Sequence, residues 1–109
     1  MAANFKNASA TISSANTRTD IYTAPASTQS VIHNLNVANK DTTLNITVDV
    51  EVYDSSGTTY VMLGQDIIIP TQSSLVWDKP INLEAGDKIV VSCATAGDAE
   101  VFASVLEIT

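Results

Sequence analysis

An alternation of apolar and polar side chains at 44–53 is the feature that most constrains what this chain can fold into. In LNITVDVEVY, Leu, Ile or Val stands at every even-numbered position from 44 to 52, and polar residues stand between them. Successive side chains of a β-strand point to opposite faces, so the pattern predicts an antiparallel strand with Leu44 and the other aliphatic residues on the core. The DSSG sequence at 54–57 then predicts a hairpin turn, with Gly57 at a positive φ.

The segment INLEAGDKIVVSC at 81–93 predicts two more strands joined by a tight turn. Apolar residues alternate with polar ones up to Ala85, Gly86-Asp87 interrupts them, and a second apolar run ends at Cys93. Gly86 can take the positive φ that such a corner needs, and the Asp87 carboxylate can accept hydrogen bonds from nearby backbone N–H groups. A lone buried Cys93 is expected to behave as a small apolar side chain.

The rest of the chain repeats short strand-like segments between turn signals, with a bend predicted at Gly64-Gln65 and no helical stripe. About eight short strands in such an arrangement predict an all-β fold. We expect an antiparallel two-sheet β-sandwich of jelly-roll or immunoglobulin-like type over residues 19–109. The last strand is apolar on both sides, which is typical of a central strand or of one whose outer face meets a partner.

Residues 1–18 are rich in Ala, Asn, Ser and Thr, and Phe5 and Ile12 are their only sizeable apolar side chains. Such a segment buries little surface, so we expect either an extended N-terminal arm that lies against another chain or an edge strand of the same sheet. The candidate interface residues are the two anchors of this segment and the outer side chains of the last strand: Phe5, Ile12, Phe102, Leu106 and Ile108.

Charge argues against nucleic-acid and membrane partners. Five Lys and Arg residues are scattered among twelve Asp and Glu residues, which gives a net charge of −7. Phosphate backbones and anionic lipid surfaces both require clustered cations. The first ten residues lack the basic start and apolar run of a secretory signal, so we expect synthesis and folding in a cytoplasm.

The sequence offers little for catalysis or cofactor binding. His33 and Cys93 are the only residues of their types, and nucleophilic or metal sites need partners at supporting spacing. His33 is predicted to share the inner face with Val31, and Asp49 and Glu51 to share a solvated face. Turn carboxylates at Asp54, Asp87, Asp98 and Glu100 could supply calcium ligands, but the spacing shows no convergence. We therefore predict no catalytic, metal or cofactor residues.

The succession of segments resembles small all-β virion structural proteins of tailed bacteriophages, including those from phages of aquatic bacteria. The segments that carry the likeness are IYTAPA (21–26), VIHNLNVANK (31–40), ITVDVEVYD (46–54), IIIP (67–70), SLVW (74–77), INLEAGDKIVVSC (81–93) and SVLEI (104–108). The resemblance implies a non-enzymatic particle component, first a capsid decoration (cement) protein on the outer capsid lattice and alternatively a tail, neck or fibre accessory protein. It also implies capsid or tail proteins as partners, a homo-oligomer with a trimer favoured, and a virion assembled in the host cytoplasm.

A carbohydrate-binding module is the alternative from another class, because β-sandwiches often bind glycans. Its stacking platform would be Tyr53, Tyr60 and Trp77. A core or interface position for Trp77 would argue against that reading.

Overall fold

A computed structural model describes residues 2–109, and all of its regular secondary structure is β. The strands in chain order are β1 (Ala3–Thr11), β2 (Thr19–Thr23), β3 (Gln29–Asn39), β4 (Ile46–Asp54), β5 (Thr59–Ile69), β6 (Ser74–Trp77), β7 (Ile81–Leu83), β8 (Lys88–Cys93) and β9 (Ala99–Ile108). The predicted all-β class is confirmed. None of the described residues belongs to a helix that could cross a bilayer.

The strands form two antiparallel sheets. One has the order β1-β9-β3-β6, with β7 also paired to β3, and the other has the order β2-β8-β4-β5. Since β6 and β7 pair with successive parts of β3, they act as one strand that residues 78–80 interrupt. The first sheet, called the five-stranded sheet below, then counts as four strands, and two four-stranded sheets in this order make a jelly roll. In an immunoglobulin domain the first strand pairs with the second, whereas here β1 pairs with the last strand along its whole length.

The core lies between the two sheets and consists almost entirely of Val, Ile and Leu. Its fully buried members include Leu35, Val37, Val101 and Val105 from one sheet, and Val48, Val50, Ile89 and Val91 from the other. Burying each of these side chains contributes about 1.5–3 kcal/mol relative to leaving it in water. Cys93 lies in the same core, as predicted.

Residues 3–11 form an edge strand in this structure. β1 pairs with β9 from Ala3 opposite Ile108 to Thr11 opposite Glu100. Ile12 follows β1, donates its backbone N–H to the Ala99 carbonyl at 2.9 Å, and lies in the core. The division into an arm at 1–18 and a domain at 19–109 stays a prediction, as does any exchange of that arm between copies.

Leu44 is not in the core, so the predicted start of β4 was wrong by two residues. Its side chain is 63% exposed, and β4 begins at Ile46. The Asp41 carboxylate accepts hydrogen bonds from the backbone N–H groups of Thr43 and Leu44 at 2.8 and 3.0 Å. These bonds hold the chain in a turn, lower the pKa of Asp41 and keep Leu44 out of the strand.

His33 is also on the opposite face from the one predicted. The pairing of β3 with β9 shifts between Ile32 and Asn34, which marks a β-bulge at His33. Because a bulge inserts one residue and reverses the alternation, Ile32 is buried while Val31 and His33 lie on the outer side.

One of the two turn predictions for β4 and β5 is confirmed, and the other is wrong by one residue. The predicted bend at Gly64-Gln65 is confirmed, because the pairing of β4 with β5 slips there and Asp66 takes a φ of 53°. In the hairpin after β4, Thr58 rather than Gly57 has the positive φ, 53°. The prediction for Gly57 was therefore wrong by one residue.

Candidate interface on the five-stranded sheet

The outer side of the five-stranded sheet exposes the large apolar side chains of Phe5, Val76 and Phe102. Phe5 lies opposite Leu106, and Leu106 lies opposite Val31. In a second row, Phe102 of β9 lies between Ser9 of β1 and Asn36 of β3. Val76 of β6 lies on the other side of Asn36. We call this surface the apolar face and define it by Phe5, Val31, Val76, Phe102, Leu106 and Ile108.

Two aromatic rings stand out from the apolar face. Phe5 is 82% exposed, and its ring centroid lies 6.1 Å from that of His33. The bulge in β3 is what brings His33 beside Phe5, since regular alternation would have pointed the imidazole into the core. A phenylalanine this exposed buries little surface in the fold of its own chain, so it is available to a partner.

Charged groups are sparse on this side. The row between the two apolar rows consists of Asn7, Ser104 and Asn34. Glu100 lies at the far end of β9, and its carboxylate is paired with the Lys40 ammonium at 2.8 Å. A chain with a net charge of −7 thus presents a surface that a second acidic protein can approach without repulsion at close range.

The outer side of the four-stranded sheet carries ion pairs beside the exposed apolar side chains of Tyr60, Met62 and Ile68. The Arg18 guanidinium donates two hydrogen bonds to the Glu51 carboxylate, at 3.0 and 3.1 Å, and its carbon lies 3.8 Å from the Tyr60 ring centroid. The hydrogen bond with Glu51 raises the pKa of Arg18. On the same sheet, the Lys88 ammonium lies 3.0 Å from an Asp20 carboxylate oxygen, and that hydrogen bond raises the pKa of Lys88.

The predicted solvated pair of Asp49 and Glu51 is wrong for Glu51, which is only 6% exposed. Arg18 belongs to the segment between β1 and β2 and covers it. Asp49 instead accepts the backbone N–H of Asp66 at 2.7 Å, inside the bulge of β5. Each carboxylate has its own partner, so the two do not form an acid–base pair.

A second polar network ties the two sheets together at one end. The Tyr22 hydroxyl donates to the Glu107 carboxylate at 2.5 Å and lies 2.8 Å from the Ser30 hydroxyl. Burial raises the pKa of Tyr22 to about 12, and the hydrogen bond to Glu107 adds to the rise. The phenol therefore stays neutral at physiological pH and acts as a structural donor.

Four of the five candidate interface residues come together on the apolar face, and one does not. Phe5, Phe102, Leu106 and Ile108 project outward from β1 and β9, whereas Ile12 is fully buried. In this structure the Ile12 side chain cannot reach a partner, and we leave it out of the interface. Val31 and Val76 were not predicted; the apolar run in SLVW was the only available signal for Val76.

The three aromatic residues of the glycan alternative are not on one surface. Tyr53 and Tyr60 pair across β4 and β5 with ring centroids 4.9 Å apart. Trp77 belongs to the other sheet, lies opposite the buried Leu35, and packs against the core near Gly64. Arg18 already covers the Tyr60 ring, which leaves that ring poorly placed to stack on a sugar.

A depression with a volume of about 560 Å³ lies at one end of the sandwich. It is open and lined by hydroxyl side chains of Ser27, Thr28, Ser55 and Ser56, with Glu84 as its acidic residue. These residues supply neither a serine–histidine nor a cysteine–histidine pair for nucleophilic catalysis. Within residues 2–109, no three His, Cys, Asp or Glu side chains are grouped closely enough to hold a metal ion.

Comparison with known proteins shows likeness at the level of the fold. No protein-family model and no curated protein sequence matches the chain. A protein of the Bacillus endospore appendages, a family of disulfide-linked pili, has a TM-score of 0.56 at 18% identity, with 98% of this chain and 88% of that chain covered. A protein in the acidic stable capsid of Helicobacter pylori bacteriophage KHP30 has a TM-score of 0.58 at 12% identity, with 100% and 89% covered.

A pentameric capsid protein from metagenomic phage sequences also matches, with a TM-score of 0.45 at 22% identity over 95% of this chain and 59% of that chain. The first two likenesses show that this jelly roll shares its fold with a phage capsid protein and with a pilus protein.

Proposed function

We propose that this protein is a non-enzymatic structural subunit of a tailed-phage virion, attached to other particle proteins through the apolar face. The observation that carries the proposal is the apolar face with its two exposed aromatic rings. This face exposes Phe5 and Phe102 with little charge around them, whereas the outer side of the other sheet carries the Arg18–Glu51 and Asp20–Lys88 ion pairs among its exposed apolar residues. Soluble monomers rarely keep such an apolar patch unless another protein covers it.

Within the particle, we propose a capsid decoration protein in preference to a tail, neck or fibre protein. A decoration protein needs one side for the capsid lattice and one side for solvent, which is the division that the two sheets provide. The fold measures 47 × 26 × 21 Å and carries no shaft in its described residues, so a fibre role would need another protein to supply length. Likeness of fold to a phage capsid protein supports a place in the particle.

The test is the occupancy of this chain in virions purified from the phage that encodes it. Quantitative mass spectrometry should detect wild-type chain in the particles. Replacing Phe5 and Phe102 together with Asp should lower its occupancy by about tenfold or more, because buried aromatic anchors dominate such contacts. Leu44→Asp is the matched control, since Leu44 is equally apolar and exposed but lies off the apolar face.

Two results would overturn the proposal. One is the absence of the chain from purified virions. The other is unchanged occupancy of the Phe5→Asp, Phe102→Asp double variant, which would place the contact elsewhere. Circular dichroism of the purified proteins checks that the double variant and the Leu44→Asp control remain folded. We expect both to fold, since Phe5, Phe102 and Leu44 lie outside the core.

A further inference from the structure

The first half of β5 is an edge with nothing paired to it. Residues 59–63, TYVML, pair on one side with β4, where Tyr53 lies opposite Tyr60 and Val52 opposite Val61. β5 ends the order of the four-stranded sheet, so its other side faces no strand of the described chain. Its outward backbone N–H and C=O groups are therefore free to pair with another extended segment. We call residues 59–63 the β5 edge.

From Thr59 to Met62, the β5 edge lacks the features that normally prevent strand addition. The segment contains no charged residue and no proline, and Thr59 to Met62 pair with β4 in unbroken register, the first slip falling at Leu63. Tyr60, Val61 and Met62 are 37%, 46% and 41% exposed. Because consecutive side chains point to opposite faces, apolar surface is open both above and below the free ladder.

The other edges of the sandwich are protected. β2 has only five residues, a bulge next to Ile21 and the ion pair of Asp20 with Lys88. β1 carries Lys6 in its centre, and β6 has four residues and is followed by Asp78, Lys79 and a proline. Charges, bulges and prolines at these edges oppose pairing with another chain. The β5 edge is the exception.

We propose that the β5 edge pairs with the β5 edge of a second copy of this chain, antiparallel about a two-fold axis that passes through Val61. In this register Val61 lies opposite Val61 of the second copy, and Tyr60 lies opposite Met62 of the second copy. The pairs are apolar on both faces, and a thioether against an aromatic ring is favourable. No charge of either copy falls within the paired segments, so the net charge of −7 does not oppose the contact locally.

The occupant is a second copy because the β5 edge is complementary to itself. A two-fold axis relates the two segments of such an antiparallel ladder, so both copies use the same residues. A closed two-fold contact requires a patch that is complementary to itself in this way. The two four-stranded sheets become one continuous eight-stranded sheet. The two β5 strands are antiparallel neighbours in one sheet, so the two-fold axis that relates them is perpendicular to that sheet. The apolar faces of both copies therefore lie on the same side of the dimer.

This contact goes beyond the proposed function, because it joins copies of the chain through a surface separate from the apolar face. It also differs from the trimer expected from the sequence. The dimer would present a doubled apolar surface on one side and the charged residues on the other. Its existence does not depend on whether the chain occupies a virion, so the two proposals can fail separately.

The experiment is light scattering coupled to size-exclusion chromatography over a range of concentrations. We expect the wild type to show twice the 11.5 kDa chain mass. Val61→Lys places two ammonium groups opposite each other on the axis and should weaken the dimer by about tenfold or more. Ile68→Lys is the matched control: it lies on the same strand, is 65% exposed and is outside the β5 edge, so it should remain dimeric.

Charge complementation makes the test specific to this register. Val61→Lys and Val61→Glu should each be monomeric alone, and their mixture should regain the dimer mass, since opposite charges then face each other across the axis. Circular dichroism checks that the variants fold; if Val61→Lys does not, Met62→Lys replaces it because Met62 points to the outer side. A monomeric or trimeric wild type, or a dimer lost with Ile68→Lys but kept with Val61→Lys, would overturn the proposal.

Discussion

The carboxylate of Asp87 accepts a hydrogen bond from the backbone N–H of Ser55 at 2.9 Å, which joins the turn before β8 to the turn after β4. The same carboxylate accepts the Ser55 hydroxyl at 2.8 Å and the backbone N–H of Glu84 at 2.9 Å. Burial alone would raise the pKa of Asp87, but these hydrogen bonds outweigh it and the pKa is lowered. The hydrogen bonds of Asp87 thus join two turns that are distant in the sequence, at one end of the sandwich.

Replacing Asp87 with Asn should therefore destabilise the fold. An amide offers one acceptor oxygen instead of two, and its NH₂ group would face an N–H donor of Ser55 or Glu84. Leaving such a buried donor unpaired costs about 1–3 kcal/mol. Urea unfolding at pH 7 should show this loss in the free energy of unfolding; Asp54→Asn, in an exposed turn, should show much less.

The effect of Asp87→Asn should depend on pH in a definite direction. Since the pKa of Asp87 is lower in the folded state, its contribution is present above the unfolded-state pKa of about 3.9 and is lost as pH falls through the folded-state pKa. The difference in unfolding free energy between wild type and variant should thus shrink below about pH 4. A difference that stays constant down to pH 2 would contradict the role given to the carboxylate.

Two glycines with positive φ allow the cost of a left-handed backbone to be measured apart from the cost of a close side-chain contact. Gly86 and Gly97 have φ values of 88° and 81°. A Cβ at Gly86 would lie 3.1 Å from the Ser55 hydroxyl oxygen, whereas a Cβ at Gly97 would meet nothing within 4 Å. Gly97→Ala should cost about 1–2 kcal/mol from the left-handed backbone alone, and Gly86→Ala should cost more. Equal losses in urea unfolding would show that the contact with Ser55 does not matter.

Local alternation was sufficient to predict most of the core, and it failed where a distant partner decided the outcome. Val48 and Val50 are buried as the pattern indicates. His33 was misplaced because the bulge in β3 depends on pairing with β9, and no glycine marks it in the sequence. Glu51 was misplaced because Arg18, 33 residues away, covers it. Such long-range pairings leave no local periodicity.

The candidate interface could be predicted in part for the same reason. Phe102, Leu106 and Ile108 share a face by simple alternation within β9. That Phe5 joins them depends on the register of β1 against β9, which places it opposite Leu106. The sequence could not supply that register, and it could not choose between a jelly roll and an immunoglobulin-like order, because both have short alternating strands joined by turns.

Arg18→Ala should lower the midpoint of thermal unfolding, because it leaves the buried Glu51 carboxylate without its partner. Lys40→Ala removes an ion pair of similar length, 2.8 Å, in which both side chains are about half exposed. Such exposed pairs contribute little to stability. A loss for Lys40→Ala as large as that for Arg18→Ala would mean that covering Glu51 is unimportant.

Ile46 and Leu44 test where β4 begins. Both belong to the same alternation, but Ile46 is buried and Leu44 is exposed. Ile46→Ala should cost about 2–4 kcal/mol through lost burial and the cavity left behind, and Leu44→Ala should stay within about 0.5 kcal/mol of wild type. Urea unfolding of the two variants measures both values. A large loss for Leu44→Ala would return that residue to the core.

The last strand decides which apolar side faces the core and which is available to a partner. Val105 is buried between the sheets, while its neighbour Leu106 points outward beside Phe5. Val105→Ala should lower the unfolding free energy by about 1–3 kcal/mol. Leu106→Ser, together with Phe5→Ser, should leave that free energy nearly unchanged, because these side chains already contact water. The same double variant should bind less of a dye that recognises exposed apolar surface, such as anilinonaphthalene sulfonate. If it instead unfolds the protein, the apolar face is a structural layer of the monomer, and the assembly surface must lie elsewhere.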